Sequence, residues 1–238
     1  MSEKFSRLEA LIGNESLQRL QNSKVAIFGI GGVGGFVAEA LVRCGVGHFI
    51  LIDSDTVAES NINRQIIADS TTVGGYKAEV MRERMLKING EAEVAVVREF
   101  FLPGDDLSFL DGCSYVVDAI DTVSSKIDLA VRCEAAGIPI ISAMGAGNKL
   151  NPAMFEAADI YETSVCPLCR VMRTQLKKRG VKSLKVVYSK EKPIKPDYGV
   201  DAGAERRSAS GRPVPGSIQM APAACGLIIA YEVVRALM

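Results

Sequence analysis

The sequence has no excess of charge of either sign: 28 lysines and arginines stand against 28 aspartates and glutamates. Nothing global therefore advertises nucleic acid or a membrane surface, and any nucleic-acid contact has to come from a local basic patch. There is a single histidine, His48, so a four-ligand zinc site would have to be drawn from cysteines. The six cysteines sit mostly singly inside apolar segments, where they act as small hydrophobes, and a reducing, cytoplasmic setting fits them best. The opening residues hold no apolar run, so no secretory signal is expected there. The most apolar stretch, residues 226–238, is interrupted by Glu232 and Arg235. At about 1.5 Å per residue it is too short to span a bilayer and reads as a buried or half-buried helix, so no membrane partner is expected. Internal repeats and low-complexity tracts are absent.

What is present alternates. An apolar run at 24–28 ends in glycine, apolar residues recur at helical spacing over 33–44, and 48–53 returns to a strand. Strand, helix and strand in about 30 residues is the size of a βαβ unit. The alternation continues with a charged helix at 76–89, strands at 94–97 and 115–119, a helix at 124–136 and a strand at 138–142. A short helix at 15–21 precedes it all. This predicts an α/β fold with a mostly parallel sheet covered by helices on both faces. After about residue 147 the character changes: a basic helix at 167–180, a strand at 184–188, a Pro/Gly/Ser/Arg-rich crossing loop at 191–216, and a final helix from about 223 with Pro222 in its first turn. The expected division is a nucleotide-binding domain over 1–150 and a smaller α+β extension over 151–238.

Gly29-Ile-Gly31-Gly32-Val-Gly34 follows the first strand and opens a helix, and Asp53 ends the next strand. Glycines let backbone N–H groups approach phosphates, the helix N-terminus favours negative charge, and Asp53 can accept from ribose hydroxyls, so the fold is Rossmann-like and binds an adenine nucleotide. The turn alone leaves ATP and NAD equally open. The stretch Asp53-Ser-Asp55-Thr-Val-Ala-Glu-Ser-Asn61-Ile-Asn63-Arg64-Gln65, followed by Lys77, separates them. Arg64 and Lys77 supply the positive charge that a triphosphate needs and a nicotinamide does not. In Asp118-Ala-Ile-Asp121, Asp118 reads as an end-of-strand cap, whereas Asp121 falls where a carboxylate can hold Mg²⁺ against phosphate oxygens.

Gly29-Ile-Gly-Gly-Val-Gly34, Leu51-Ile-Asp-Ser-Asp-Thr-Val57, Asn61-Ile-Asn-Arg-Gln65, Val73-Gly-Gly-Tyr-Lys77 and Asp118-Ala-Ile-Asp121 resemble, in order and spacing, a known adenylating domain. It is shared by ubiquitin-activating enzymes and the bacterial molybdopterin-synthase and thiamine-biosynthesis adenylyltransferases. The resemblance implies that Asp53 is a ribose ligand, that Asn61, Arg64 and Lys77 are phosphate ligands, and that Asp121 holds Mg²⁺. It also implies that Arg7 reaches from the other subunit of a homodimer onto the phosphates. Within the family, Phe5-Ser-Arg7-Leu8, Ser142-Ala-Met-Gly-Ala-Gly147 and the basic helix are similar to the tRNA threonylcarbamoyladenosine dehydratases. Those use ATP to close the side chain of threonylcarbamoyladenosine in tRNA into a ring. Arg170, Arg173, Lys177, Lys178 and Arg179 then become the expected tRNA contacts, and sulfur-relay proteins remain an open class of partner.

Several bacterial relatives in that family carry two Cys-x-x-Cys pairs for structural zinc. Here Cys166-Pro-Leu-Cys169 has no second pair, and Met220-Ala-Pro-Ala-Ala-Cys225 stands near the place for it. A thiol sensor or simple packing at a helix start fits better than zinc, and Cys225 reads as a small buried residue rather than a nucleophile. Three rivals remain. One is an adenylyltransferase for the C-terminus of a ubiquitin-like sulfur carrier; another is an NAD-dependent oxidoreductase, for which no acid/base group is evident. The third is a non-catalytic RNA-binding module built on the basic helix with Arg206, Arg207 and Arg212.

Overall fold

Val25, Ala26, Ile27 and Phe28 are all fully shielded from solvent. A run apolar on both faces belongs to a strand covered on both sides. It is β1 (Lys24–Phe28), an inner strand of a seven-stranded sheet in the computed structural model, which describes residues 3–197 and 214–238. The crossing loop expected at 191–216 falls largely outside the described residues, as do Arg206, Arg207 and Arg212.

β1 pairs in parallel with β2 (His48–Ile52), from Lys24 opposite His48 to Phe28 opposite Ile52, and on its other side with β4 (Tyr115–Asp118). β3 (Glu93–Val97) lies outside β2, and β5 (Ile140–Ala143) lies beside β4. β7 (Lys185–Ser189) continues in parallel from β5, and β6 (Phe155–Asp159) closes that edge antiparallel to β7. The order is β3-β2-β1-β4-β5-β7-β6, Rossmann-like with its direction of winding reversed between β1 and β4. One sheet thus runs through both halves of the chain.

Alternate residues of β1 feed different layers. Val25 and Ile27 join a core with α3 (Gly34–Arg43), α4 (Lys77–Ile88) and α7 (Met220–Leu237). Ala26 and Phe28 face Leu129 and Cys133 of α5 (Val123–Ala136) together with the 101–110 segment. α6 (Pro167–Lys178) packs Cys169, Met172 and Leu176 beside α5, against Val186 and Tyr188 of β7. Two short helices, α1 (Ser6–Ile12) and α2 (Asn14–Asn22), lead into β1.

Three elements depart from the expected outline. α1 was not anticipated: it is only seven residues long, none of them is buried, and Leu11 is 83% exposed. β6 was also missed, because Phe-Glu-Ala-Ala-Asp is poor in strand formers and becomes a strand through pairing with β7. α7 starts at Met220 rather than near 223, and at 18 residues it is long and apolar enough to cross a membrane by length and composition. Its Cys225, Ile229, Ala230 and Val233 are packed into the main core, as in a core helix.

α7 crosses α3 at Gly226, where an added Cβ would sit 2.7 Å from the Val33 carbonyl oxygen and 2.9 Å from the Phe36 Cβ. Gly226→Ala is therefore expected to cost about 1–3 kcal/mol by overpacking. Gly145→Ala, at a site with nothing within 4 Å of the new Cβ, should change stability by no more than about 0.5 kcal/mol. Urea denaturation midpoints at constant m-value distinguish the two; equal midpoints would show that the helix crossing is not set by this contact.

Candidate active site

The reversal between β1 and β4 leaves a crevice at the carboxyl ends of the strands, where open α/β sheets bind ligands. A cavity of about 500 Å³ occupies it. Gly29, Gly31, Gly32, Asp53, Asp55, Asn61, Arg64, Gln65, Lys77 and Asp121 all line it, so residues spread over more than ninety positions of sequence meet in one place. Gly34 does not line it. Its hydrogen-only α-carbon lies against the Gly29 carbonyl, where a Cβ would come within 1.8 Å of the oxygen. Gly34 therefore sets how closely α3 approaches β1, and with it the position of the helix N-terminus that faces the cavity.

Asp53 knits the two strand ends together. One carboxylate oxygen accepts the Ile30 N–H at 2.6 Å and the other accepts the Asp55 N–H at 2.8 Å. Burial pushes its carboxyl above the usual range, opposed by those two N–H groups and by the charge of Lys77. Lys77, nearly buried at the head of α4, reaches Asp55 Oδ2 at 2.6 Å. The Arg64 guanidinium donates to the Ser60 carbonyl at 2.7 Å and to Asn63 Oδ1 at 2.9 Å. Burial lowers its basicity, but from a starting value that leaves it cationic. Gln65 is buried and its side-chain carbonyl oxygen has no hydrogen-bond partner among the described residues. A buried acceptor left open on a cavity wall fits a ligand hydroxyl.

The acid pair after β4 splits into two roles. Asp118 is more than a strand cap: it is wholly buried in an ion pair of 2.9 Å with Lys126, itself wholly buried, and it accepts from the Ser142 hydroxyl. Asp121 is exposed on the cavity, with a weak contact to the Thr122 hydroxyl at 3.4 Å. Among the described residues no group of three or more His, Cys, Asp or Glu side chains gathers to hold a metal. One hard, solvent-facing carboxylate fits Mg²⁺ that arrives on phosphates rather than a cation caged by protein.

Several lining residues lay beyond sequence reasoning. Glu99, Phe100 and Phe101 follow β3 and form part of the wall. An aromatic pair directly after a strand on the ligand edge was the available signal. Val214, Pro215, Ser217 and Pro222 come from the far end of the chain and have no local signature. Asn148 brings that segment in: its N–H donates to the Gly216 carbonyl at 2.7 Å and its Oδ1 accepts the Gly216 N–H at 2.7 Å.

Other expected residues lie elsewhere. Arg7 is exposed on α1 and does not line the cavity of its own chain. On α6, Arg170, Lys177 and Lys178 are exposed, as is Arg179 at its C-terminal cap, whereas Arg173 turns inward and donates to the Thr163 carbonyl at 2.9 Å. The fully buried Cys225 has its thiol pushed up to about 12 by burial, which suits packing and not nucleophilic attack. Cys166 and Cys169 are both buried at the start of α6. The Cys169 S–H and the N–H groups of Cys169, Gly145 and Leu168 lower the Cys166 thiol, while the proton it shares raises that of Cys169.

A sequence profile described as the ThiF family matches residues 5–238. The chain belongs to the ThiF family. This ThiF-family chain is 42% identical to tRNA threonylcarbamoyladenosine dehydratase of Bacillus subtilis, over all of the chain and 96% of that protein. It is 36% identical to the Escherichia coli protein of the same name, over 88% of the chain and 81% of that protein. A crystal structure of the E. coli dehydratase in complex with ATP superposes with a TM-score of 0.88 at 33% identity, covering 99% of this chain and 94% of that one.

ATP at a hundred times its dissociation constant adds about 2.7 kcal/mol to the folded state. For a domain of this size that raises Tm by roughly 5–10 °C. The shift should appear with ATP in differential scanning fluorimetry and be mostly lost in Arg64→Ala. An undiminished shift in that variant would remove Arg64 from the nucleotide site.

Proposed function

We propose that the chain is an ATP-dependent tRNA threonylcarbamoyladenosine dehydratase that activates the carboxylate of the modified nucleoside as an acyl-adenylate. The observation that carries this reading is the cavity itself. It joins a glycine turn, the ribose-competent Asp53 and the cations Arg64 and Lys77 at one sheet edge, in a chain whose curated relatives of that name match it almost end to end. The cations favour ATP over a nicotinamide dinucleotide.

A carboxylate is a poor electrophile, and adenylation supplies both the electrophile and the leaving group. The substrate carboxylate attacks the α-phosphorus and pyrophosphate departs. A nitrogen of the carbamoyl group then attacks the acyl carbon, AMP leaves with one carboxylate oxygen, and a proton is lost from the nitrogen. The net change in the nucleoside is one water. Arg64 and Lys77 serve by positioning and by neutralising phosphate charge. Lys77 exchanges Asp55 for phosphate when the nucleotide is present. Asp53 receives the ribose hydroxyls, and Asn61 and Gln65 complete the polar wall. Mg²⁺ held by Asp121 would supply further charge neutralisation. Among the described residues no cysteine lines the cavity, and attack within one molecule has a large effective concentration, so ring closure is written without an enzyme thioester.

The same reading includes a homodimer in which Arg7 enters the partner's cavity, supported by its exposure on α1 and by the motif around it. The exposed cations Arg170, Lys177, Lys178 and Arg179 offer the tRNA backbone a basic face, with Arg173 bracing the helix from behind. The six free thiols accord with a reducing cytoplasm.

With ATP, Mg²⁺ and tRNA bearing threonylcarbamoyladenosine, mass spectrometry of the nucleosides should show loss of one water. A substrate carboxylate labelled with ¹⁸O should deliver label to AMP. Label retained wholly in the nucleoside, or turnover triggered instead by a sulfur-carrier protein, would sink the proposal. Arg64→Ala should lower kcat by about 10²–10³-fold. Mixing inactive Arg7→Ala and inactive Arg64→Ala subunits should restore about a quarter of the activity if the arginine acts across a twofold interface. No recovery after subunit exchange would place Arg7 outside the site.

A further inference from the structure

Lys126 is the least expected side chain near the cavity: a lysine on the first turns of α5 with no exposed surface at all. Burying an ammonium group is costly unless charge and hydrogen bonds compensate it. Here they do. Its Nζ lies 2.9 Å from Asp118 Oδ2 and donates to the Ile120 carbonyl at 3.1 Å. Asp118 in turn accepts the Ile120 N–H at 3.1 Å through Oδ1, and the Ser142 hydroxyl through Oδ2. Both polar ends of residue 120 are therefore held by one buried ion pair. The next residue is Asp121, which stands on the cavity with no ion pair of its own among the described residues.

We propose that Lys126 is a positioning residue for adenylation: with Asp118 it clamps Ile120 by its N–H and its carbonyl, and so fixes the direction in which Asp121 meets the phosphate-borne cation. The Ser142 contact extends the clamp to β5, whose continuation brings Ala146 and Gly147 to the cavity wall. A simple stabilising ion pair would need only the carboxylate. The additional bond to the Ile120 carbonyl is what turns a buried charge into a geometric constraint on the loop, because a carboxylate displaced by about 1 Å can cost about 100-fold in rate.

This inference rests on the proposed ATP-dependent activation, and its test separates the two. Lys126→Met alone leaves a buried carboxylate unpaired, so the variant to compare is Lys126→Met with Asp118→Asn, which removes both charges and keeps an acceptor for the Ile120 N–H. Lys126→Gln, which keeps a donor without the charge, serves as the milder variant should the double one not fold. Lys126→Arg tests rescue. Calorimetric titration with ATP, with and without Mg²⁺, is run beside Asp121→Asn on variants shown by thermal unfolding to be cooperatively folded.

The double variant should bind metal-free ATP within about threefold of the parent, yet lose most of the affinity gained on adding Mg²⁺, as Asp121→Asn does. Its kcat for dehydration should fall by about 100-fold, and KM for Mg²⁺-ATP should rise by the factor by which Mg²⁺-dependent affinity falls. The glutamine variant should show the same pattern, smaller, and the arginine variant should recover part of it. A folded variant whose Mg²⁺-dependent gain and kcat both stay within about threefold of the parent overturns the proposal. If the parent binds Mg²⁺-ATP as described but dehydrates no tRNA, the functional reading fails while the binding comparison still decides the role of Lys126.

Discussion

A single backbone contact governs the geometry of the nucleotide site. The α-carbon of Gly34 rests against the carbonyl of Gly29, so close that no side chain can be inserted between them. Gly29 itself takes φ +88°, with the Ala119 carbonyl where its Cβ would lie. These approaches press the start of α3, the end of β1 and the loop after β4 into one layer. The N-terminus of α3 can then face a phosphate chain without intervening side chains. On the opposite side of α3, Gly226 lets α7 pack against the same turn. The cavity is a consequence of backbone proximity first and of side-chain chemistry second.

Upon that frame the charges are arranged largely in pairs. Lys77 is held by Asp55, Lys126 by Asp118, and the Asp53 carboxylate by two backbone N–H groups. Arg64 differs: it is held by a carbonyl and an amide oxygen, and no described ion pair includes it. Neutral acceptors restrain a guanidinium without cancelling its charge, so Arg64 keeps a positive potential on the cavity wall that Lys77, paired with Asp55, does not. The buried pair costs solvation, and the return is a fixed loop rather than net stability.

How much could be read from the sequence follows from how local each signal is. The strands β1, β2 and β4 were legible because burial on both faces leaves continuous apolar runs. The run from Asp53 to Lys77 was legible because its chemistry is gathered in one stretch, and the cavity brings those residues together. Asp118 was read as a cap because its partner is eight positions away, on the next helix, in a segment that looks like an ordinary amphipathic face. Arg173 counted as one more cation of a basic helix until its inward bond to Thr163 set it apart. β6 was invisible because its strand character is conferred by β7. A division near residue 150 suggested itself from composition, yet β7 and α7 build the same sheet and core as the first half.

The segment at 214–217 is joined to the Arg64 side of the cavity by a short series of bonds. Arg64 donates to the Asn63 side-chain oxygen, and the Asn63 amide donates to the Ser217 carbonyl at 3.0 Å. One residue earlier, Gly216 is gripped twice by Asn148, which holds φ +58°, a conformation asparagine tolerates better than most residues, and whose carbonyl also accepts the Ile194 N–H at 2.9 Å. The strap at 214–217 is thus held at two consecutive residues, Gly216 by a loop following β5 and Ser217 by the neighbour of Arg64. Arg64 and the cavity's outer wall are in this way joined through two asparagines, whose side chains each carry both a donor and an acceptor.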